Sequence, residues 1–223
     1  MRIGILGSGN MGAALGHLFA KAGHAVTFSY SHDPEKLERL ARRNGPRARA
    51  GTPSDAVRGA NAVLLAVHWS RVPHVLRAAG RLRGKVLIDC TLPMTPSDEA
   101  LAVGHRISGG ELVALRARGA RVVKAFNMVP SELLRAGAES LPEQPMVCYC
   151  GDDAAAKRVV ARLIRDVGFE PVHCGRLVVA RYLEPFTLVV AELAYNQHRR
   201  PEVGVRFIRP SARRGPKRRA PPR

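Results

Sequence analysis

Residues 5–12 of the chain read ILGSGNMG, which places Gly7, Gly9 and Gly12 in the spacing G-x-G-x-x-G. The spacing by itself is a weak signal. The residues before it, RIGIL at 2–6, predict a short buried strand, and apolar residues recur at helical spacing in the stretch that follows. A glycine turn between a strand and a helix is typical of a dinucleotide-binding βαβ unit, in which the helix N-terminus faces the pyrophosphate.

The three glycines have different roles in such a unit. Gly7 permits the tight turn, Gly9 lets the backbone approach the pyrophosphate, and Gly12 allows the helix to pack closely on the strand. The alternative is a glycine turn that packs for its own sake and binds nothing. The strand before the turn and the helix after it favour the nucleotide site.

Strand-like and helix-like segments alternate along the rest of the chain. The stretch DPEKLERLARRNG predicts a helix capped by Asp33, with Pro34 at its first position and Asn44-Gly45 at its end. Strands are predicted over residues 24–30, 62–67, 85–90 and 121–127 and within PEQPMVCYCGDD and FEPVHCG. This alternation predicts a parallel sheet with right-handed crossovers: an α/β, Rossmann-type, doubly wound, mostly parallel sheet with a small C-terminal α/β extension.

Two helices are predicted near the C-terminus. The clearest amphipathic helix covers residues 153–168, with Asp153 or Asp152 as its cap and Gly168 at its end. A later stretch, RLVVARYLEPFTLVVAELAYNQH, predicts a long helix with too much apolar surface to be solvated on all sides. This helix is expected to pack on the sheet or against a second subunit, and we favour a homodimer.

The chain divides into three predicted regions. Residues 1–128 form an NADP-binding Rossmann domain, residues 129–198 a C-terminal α/β lobe that completes the substrate crevice, and residues 199–223 a basic tail. The tail carries ten Lys or Arg and one acid, which accounts for half of the net charge of +18. Because it has no apolar periodicity and no interleaved aromatic residues, we expect it to be disordered and do not expect it to bind nucleic acid specifically.

Cysteine usage and hydropathy exclude several classes of protein. The four cysteines, Cys90, Cys148, Cys150 and Cys174, contain no C-x-x-C pair, which argues against a disulfide framework and against a metal site. Cys148 and Cys150 are expected to share one strand face as packing residues. No run approaches the roughly 18 apolar residues of a membrane helix, and the chain opens on a strand without a charged leader. We therefore expect a cytoplasmic protein that does not enter the membrane.

The end of the second strand indicates which dinucleotide the site prefers. NAD sites place an acidic residue there to bind the ribose 2′-hydroxyl. This chain has Ser31 and His32 instead, with Lys36 one turn into the next helix. These groups can donate hydrogen bonds to a 2′-phosphate, which a carboxylate would repel. Asp33 comes one residue late and is better explained as a helix cap, so the sequence predicts NADP rather than NAD.

His68 is the best single candidate for acid–base catalysis. It follows a buried strand at the carboxyl edge of the sheet, where α/β folds bind ligands, although a wall against the nicotinamide or ribose explains it as well. No paired carboxylates, Ser-His-Asp order or suitably placed lysine stand out. Carbonyl reduction needs a proton donor, whereas hydride transfer between two redox rings needs mainly stacking and exclusion of water. The sequence favours the second reaction.

Six stretches carry a family resemblance. In chain order they are IGILGSGNMG, FSYSHDPEKL, LLAVHW, VVKAFNMVPSELL, GDDAAAKRVVARLIRDVGFEPVHCG and ARYLEPFTLVVAELAY. With them the chain resembles, over about residues 2–195, the NADPH-dependent reductases of the deazaflavin coenzyme F-420, relatives of the reductase domains of the STEAP metalloreductases. In such enzymes a Ser-Arg pair and a following lysine hold the 2′-phosphate. The resemblance assigns these roles to Ser31, His32 and Lys36, with His32 in place of the arginine.

The predicted cofactor site combines the glycine turn with the ends of three further strands. Its residues are Gly7, Ser8, Gly9, Asn10, Met11, Gly12, Ser31, His32, Lys36, Ala66, Val67, His68, Phe126 and Asn127. The predicted function is hydride transfer between NADP(H) and a flat redox partner, for which the resemblance implies coenzyme F-420. The alternatives are an NADPH-dependent reductase of a small imine, ketone or chelated metal, and a non-catalytic NADP sensor whose basic tail contacts an acidic partner or nucleic acid.

Overall fold

One sheet of eight strands runs through the protein, of which the computed structural model describes residues 1–197 and 200–208. The strands are β1 (Arg2–Leu6), β2 (Ala25–Ser29), β3 (Ala48–Ala50), β4 (Ala62–Leu65), β5 (Val86–Asp89), β6 (Arg121–Ala125), β7 (Met146–Gly151) and β8 (Glu170–His173). The helices are α1 (Asn10–Lys21), α2 (Pro34–Arg43), α3 (Pro53–Arg58), α4 (Val72–Ala79), α5 (Gly109–Arg116), α6 (Ser131–Ala136), α7 (Ala154–Asp166) and α8 (Ala180–Ala191). Single 3-10 turns occur at Trp69–Arg71, Ala138–Ser140 and Leu177–Val179, and a π-helical turn, Glu192–Gln197, continues α8.

The strand order is β3-β2-β1-β4-β5-β6-β7-β8. Because β1 pairs in parallel with both β2 and β4, the chain winds outward from β1 in one direction and from β4 in the other. The crevice between the carboxyl ends of β1 and β4 is therefore the point where the winding direction changes, which is where doubly wound sheets bind their ligands. The predicted Rossmann-type, doubly wound, mostly parallel sheet is confirmed.

The C-terminal strands extend this same sheet. Strand β7 runs antiparallel to β6, and β8 is parallel to β7. The predicted C-terminal α/β extension is thus joined to the N-terminal part of the sheet by backbone hydrogen bonds between strands. Two elements are absent from the sequence predictions, the three-residue β3 and the six-residue α3, because both are too short to show a periodic pattern.

Apolar side chains fill both faces of the sheet. Phe19 and Phe28 are completely buried on the face covered by α1, α6 and α7. Leu65 and Leu87 are completely buried on the opposite face, which α3, α4, α5 and α8 cover. Burial on both faces explains why the central strands read as continuous apolar runs.

Local capping residues fix the helix boundaries. The Asp33 carboxylate accepts from the Lys36 N–H at the start of α2, as predicted. At α7 the structure selects Asp153, whose side chain accepts a hydrogen bond of 2.7 Å from Ala156 N–H. Gly168, just beyond α7, has φ +92° and so provides the left-handed residue that ends a helix.

The described part of the C-terminal segment, residues 200–208, contacts the start of β7. Met146 N–H donates to the Val205 carbonyl at 2.9 Å, and Arg206 pairs with Glu143 at 3.1 Å. Residue 199 and residues 209–223, which make up the rest of the predicted basic tail, lie outside the described residues. Among the helices of residues 1–197 and 200–208, none has the length and apolar character needed to cross a membrane.

Candidate active site at the glycine turn

The glycine turn connects β1 to α1 in a conformation that requires glycine at two positions. Gly7 has φ +117°, and a Cβ there would collide with the carbonyl oxygen of Ala66 on the neighbouring strand end. A Cβ on Gly12 would collide with the carbonyl oxygen of Gly7. The backbone segments therefore approach one another too closely for any side chain.

Gly9 differs from the other two glycines, because a Cβ built on it has no protein atom within 4 Å. It is the N-cap residue of α1, and no side chain caps this helix. The first turn of α1 contains no acidic residue. The N–H groups at the start of a helix lack partners within the helix and carry partial positive charge, so α1 presents an anion-binding end over open space.

A cavity of about 320 Å³ opens beside this helix end, and we call it the glycine-turn cavity. It is lined by Gly9, Asn10, Met11, Ala66, Val67, His68, Trp69, Cys90, Thr91, Leu92, Met94 and Asn127. The lining residues come from the ends of β1, β4, β5 and β6, which all terminate at the carboxyl edge of the sheet. Seven of the predicted site residues are thus brought together around one cavity.

His68 is held by hydrogen bonds at both ring nitrogens. Its Nδ1 lies 2.8 Å from Ser70 Oγ, and its Nε2 lies 2.9 Å from Asp98 Oδ1. Asp98 belongs to the long connection between β5 and α5 and adopts a left-handed conformation with φ +58°. Burial raises the pKa of Cys90, the other titratable group in the lining, to about 12. His68 is a fixed side chain in the cavity wall, with its ring oriented by Ser70 and Asp98.

Asn127 places an unsatisfied polar atom in the same wall. Its side-chain amide donates to Thr187 Oγ1 at 2.7 Å, but its buried Oδ1 has no partner among the described residues. Buried oxygens without partners are rare in folded proteins, and one in a cavity wall is an acceptor available to a ligand. The preceding Phe126 is buried against Phe19 instead of lining the cavity, and its φ of +66° turns the chain toward Asn127.

A second cavity of about 810 Å³ lies at the end of β2. We call it the second-strand cavity, and Ser31 and His32 are in its lining. Two basic side chains that the sequence reasoning missed, Arg71 and His74, also line it, and His74 Nδ1 is 2.9 Å from Tyr30 Oη. Both residues belong to the segment after β4 and are remote in sequence from the end of β2, so no local pattern could reveal them.

Three residues that the sequence analysis discussed for the nucleotide site do not line this cavity. The Asp33 carboxylate pairs with Arg39 at 2.7 Å as well as capping α2, and these contacts lower its pKa. Asp33 is therefore engaged as a cap, as its position in the sequence suggested. Lys36 is exposed on the first turn of α2 and is not among the residues that line the cavity. Ser8 is buried beneath the turn, where its Oγ lies 3.3 Å from the Tyr30 carbonyl oxygen.

A buried ionic cluster adjoins the glycine-turn cavity. Lys124 on β6 is fully buried, and its ammonium group lies 3.0 Å from Asp89 Oδ2, 2.9 Å from Glu184 Oε1 and 2.5 Å from the Thr91 carbonyl oxygen. Burial alone lowers the pKa of Lys124, but the two carboxylates outweigh it and raise the pKa above its ordinary value. Lys124 thus remains charged.

Both carboxylates of the cluster have further partners. Glu184 on α8 accepts from the N–H groups of Gly109 and Gly110 at the start of α5, at 2.8 and 2.9 Å. Asp89 accepts from the backbone and the hydroxyl of Thr91. The cluster therefore ties α8, α5 and β6 to the segment that follows β5, whose residues Cys90 and Thr91 line the cavity. Sequence reasoning missed it because its members are 35 and 60 residues apart.

Comparisons with known proteins agree with this geometry. Residues 2–93 match the family model described as "NADP oxidoreductase coenzyme F420-dependent". The metalloreductase STEAP3 of Rattus norvegicus is 30% identical over 187 residues, which are 84% of this chain and 36% of that protein. The chain thus spans about a third of the length of that curated relative.

Solved structures show the same architecture. A putative F420-dependent NADP reductase from Arthrobacter sp. FB24 superposes with a TM-score of 0.83 and 26% identity, covering 94% of this chain and all of that one. A reductive aminase from Aspergillus terreus has a TM-score of 0.60 at 20% identity, covers 87% of this chain and 60% of its own, and shows the fold alone.

The glycine turn at the switch point and the open helix end define a Rossmann-type fold, and the family model and solved structure that it matches are described as NADP oxidoreductases. More particularly, residues 2–93 match the model of that NADP oxidoreductase family, and most of the chain is similar to part of the metalloreductase STEAP3.

Proposed function

We propose that the protein transfers a hydride between NADP(H) and a flat redox ring, with coenzyme F-420 as the first candidate for that partner. The observation that supports this most directly is the lining of the glycine-turn cavity. Its walls are apolar or neutral apart from His68, and both nitrogens of His68 are already hydrogen-bonded. Transfer of a hydride between stacked rings needs alignment and exclusion of water more than it needs a proton donor.

The nucleotide is proposed to lie across the carboxyl edge of the sheet. The open N-terminus of α1 at Gly9 would hold the pyrophosphate. Ser31 and His32, with Arg71 across the second-strand cavity, would hold the 2′-phosphate. The unpartnered Oδ1 of Asn127 would accept from the carboxamide of the nicotinamide. When bound, the cofactor supplies the hydride, and these side chains orient its ring against the cavity.

The direct test mixes purified protein with NADPH and coenzyme F-420 and follows the absorbance of the deazaflavin. We expect bleaching with NADPH and much slower bleaching with NADH. No absorbance change at any protein concentration would refute coenzyme F-420 as the partner. Calorimetric titration with NADP and NAD would then show separately whether the nucleotide site is correct.

A second candidate is reduction of a small imine, ketone or chelated metal, and the pairing of His68 with Asp98 favours it. A carboxylate that accepts from one imidazole nitrogen orients the ring, and a fixed orientation is one requirement for a proton donor. The relatives include a metalloreductase by name. On this reading His68→Asn lowers kcat strongly and leaves NADPH affinity unchanged, and Asp98→Asn lowers kcat in part. A wall residue would instead change mainly binding.

We further propose a homodimer in the cytoplasm. Tyr182 and Val189 on α8 are 72% and 52% exposed, and Val178 and Leu193 extend the same apolar surface. Apolar side chains repeated along one helix are typical of subunit interfaces. Analytical ultracentrifugation of the wild type and of Tyr182→Glu/Val189→Glu would test this: the variant is expected to sediment as a monomer.

A further inference from the structure

A groove of about 620 Å³ lies between the C-terminal ends of α4 and α5, and we call it the arginine groove. Half of its lining residues are arginines, and none is Asp or Glu. The five arginines, all of them exposed, are Arg77, Arg81, Arg83, Arg116 and Arg118. Because the chain continues from α4 into β5 and from α5 into β6, the groove lies at the amino edge of the sheet, opposite the glycine-turn cavity.

Glycine turns fix the two loops that carry arginines beyond the helix ends. Gly80 and Gly84, in the loop after α4, have φ of +75° and +76°, and Gly119, in the loop after α5, has φ of +80°. The Gly84 N–H donates to the Gly119 carbonyl oxygen at 2.8 Å, which joins the two loops. Since such left-handed conformations favour glycine and the turns are hydrogen-bonded to each other, the backbone of the groove is formed before any ligand binds.

The arginines of the groove are not paired with carboxylates. Among residues 1–197 and 200–208, no acidic oxygen lies within 4.0 Å of any of their guanidinium groups. Charge interaction with a helix C-terminus accounts for Arg77 and Arg116, which lie in the last turns of α4 and α5. It does not account for Arg81, Arg83 and Arg118, which lie beyond the helices. Like charges in one concavity repel each other, and an anion bound between them removes that repulsion.

We propose that the arginine groove binds a short chain of phosphate groups, free or carried by a nucleotide, at a site separate from the redox site. Arg81 and Arg83 belong to one wall and Arg118 to the other, so a narrow anion between them contacts both walls. Guanidinium groups remain charged and bind phosphate oxygens in bidentate fashion. A phosphate chain carries its charges on adjacent groups, whereas backbone separates the carboxylates of an acidic peptide. The lining has no aromatic side chain on which a base could stack, so the phosphates are the groups recognised.

The experiment is a calorimetric titration of tripolyphosphate, and in a second arm of ATP, into the full-length protein with NADP in excess, so that the proposed pyrophosphate site is occupied. One variant per wall is used, Arg81→Ser/Arg83→Ser and Arg118→Ser. The matched control is Arg42→Ser/Arg43→Ser on α2, which removes two charges from exposed positions outside the groove. We expect each groove variant to raise the Kd at least about tenfold, as loss of one charge-assisted hydrogen bond predicts, and the control to change it less than about twofold. Similar Kd values in the two arms show that the phosphates alone are recognised, and much tighter binding of ATP identifies a nucleotide as the source.

Several results would overturn the proposal. If the wild type shows no heat of binding, or if the groove variants bind as the wild type does, the groove does not hold the phosphates. Equal weakening in the control would show that overall charge holds them instead. Tighter binding of pentaglutamate than of tripolyphosphate, through the same arginines, would assign the groove to an acidic peptide.

The groove variants also test whether the two sites are separate. Because the groove is at the opposite edge of the sheet from the glycine turn, we expect both variants to keep the wild-type Kd for NADPH. A groove variant that weakens NADPH binding as much as it weakens tripolyphosphate binding would overturn the proposal of a separate site. The comparison of tripolyphosphate binding between variants does not depend on which redox substrate the protein uses, so failure of the proposed function leaves the binding result decisive.

Discussion

Two regions at the carboxyl edge of the sheet differ in whether their polar groups have partners on the protein. At the end of β1, helix α1 starts without a side-chain cap, and the space over Gly9 is open. At the ends of β5 and β6, the charges of Asp89, Lys124 and Glu184 are completely buried, and every one of them has a partner on the protein. The glycine turn leaves its groups unsatisfied, and the ionic cluster satisfies its own internally.

The difference indicates that one region is suited to binding a ligand and the other to fixing the structure around it. Unsatisfied N–H groups on a rigid helix end bind an anion without rearrangement, because nothing has to be displaced except water. A closed cluster of charges binds no ligand, but it fixes the segments that carry it, because removing one member leaves a buried charge without a partner. The cluster therefore positions the wall at Cys90 and Thr91 against which the substrate ring would lie.

The largest effect, a loss of stability, is expected from removing the cation of the buried ionic cluster. Lys124→Met leaves two buried carboxylates without their cation and should lower the free energy of unfolding by about 3–5 kcal/mol. Urea denaturation measures this. The control is Lys21→Met, which removes an ammonium 66% exposed and 3.9 Å from Glu139, and which should leave stability nearly unchanged. Similar results for the two variants would show that the buried cluster does not hold the fold.

Filling the space over Gly9 is expected to weaken nucleotide binding more than it lowers stability. Gly9→Ala places a methyl group where no protein atom lies within 4 Å, so the folded chain accommodates it. The same methyl group intrudes on the proposed pyrophosphate position, and overpacking of this kind predicts an NADPH Kd about 10- to 100-fold higher. Gly59→Ala, which also adds a methyl group in open space, is the control and should change neither property. Because Gly9 is the N-cap of α1, alanine there is expected to cost up to about 1 kcal/mol of stability, and an unchanged Kd for NADPH would break the comparison.

Adding a hydrogen-bond donor to the second-strand cavity should strengthen the preference for NADP over NAD. His32→Arg places a permanently charged, bidentate group in the second-strand cavity in place of an imidazole. The ratio of the Kd for NAD to the Kd for NADP is expected to rise about tenfold, by one charge-assisted hydrogen bond. His17→Arg, at an exposed position of α1 outside the cavity, adds the same charge and should leave the ratio unchanged.

The smallest effect is expected for the pH dependence of stability, through the ion pair that joins α5 to α8 beside the buried ionic cluster. The Arg181 guanidinium lies 2.7 and 2.8 Å from the Glu111 carboxylate and, with Ser108, lowers the pKa of Glu111 to about 2. A lowered folded-state pKa gives stability that is present above the ordinary glutamate pKa and lost as pH falls toward 2. The difference in unfolding free energy between wild type and Glu111→Gln should therefore be constant from about pH 7 to 5 and shrink below that. Arg181→Met should remove the same pH dependence. If the free-energy difference between wild type and Glu111→Gln stays constant down to pH 3, this prediction is wrong.

Elements with strong local signals could be predicted from the sequence. The strands that become β1, β2, β4, β5 and β6 showed as apolar runs, and the cap at Asp33 and the end at Gly168 followed from residue type alone. The antiparallel direction of β7 could not be predicted, because a strand pattern carries no information about its neighbour. Arg71 and His74 were missed for the same reason: they reach the end of β2 through the fold.

The sequence by itself predicted the glycine turn, because the spacing of Gly7, Gly9 and Gly12 lies between a strand pattern and a helix pattern, and together these constrain the local backbone. It also determined the strand and helix periodicity that defines a doubly wound sheet. Only the tertiary structure decided that Lys124 meets Asp89 and Glu184, and that arginines from two separate helix ends form one groove. Those contacts join residues that are tens of positions apart, and their energies depend on burial and distance, which a chain acquires only when it folds.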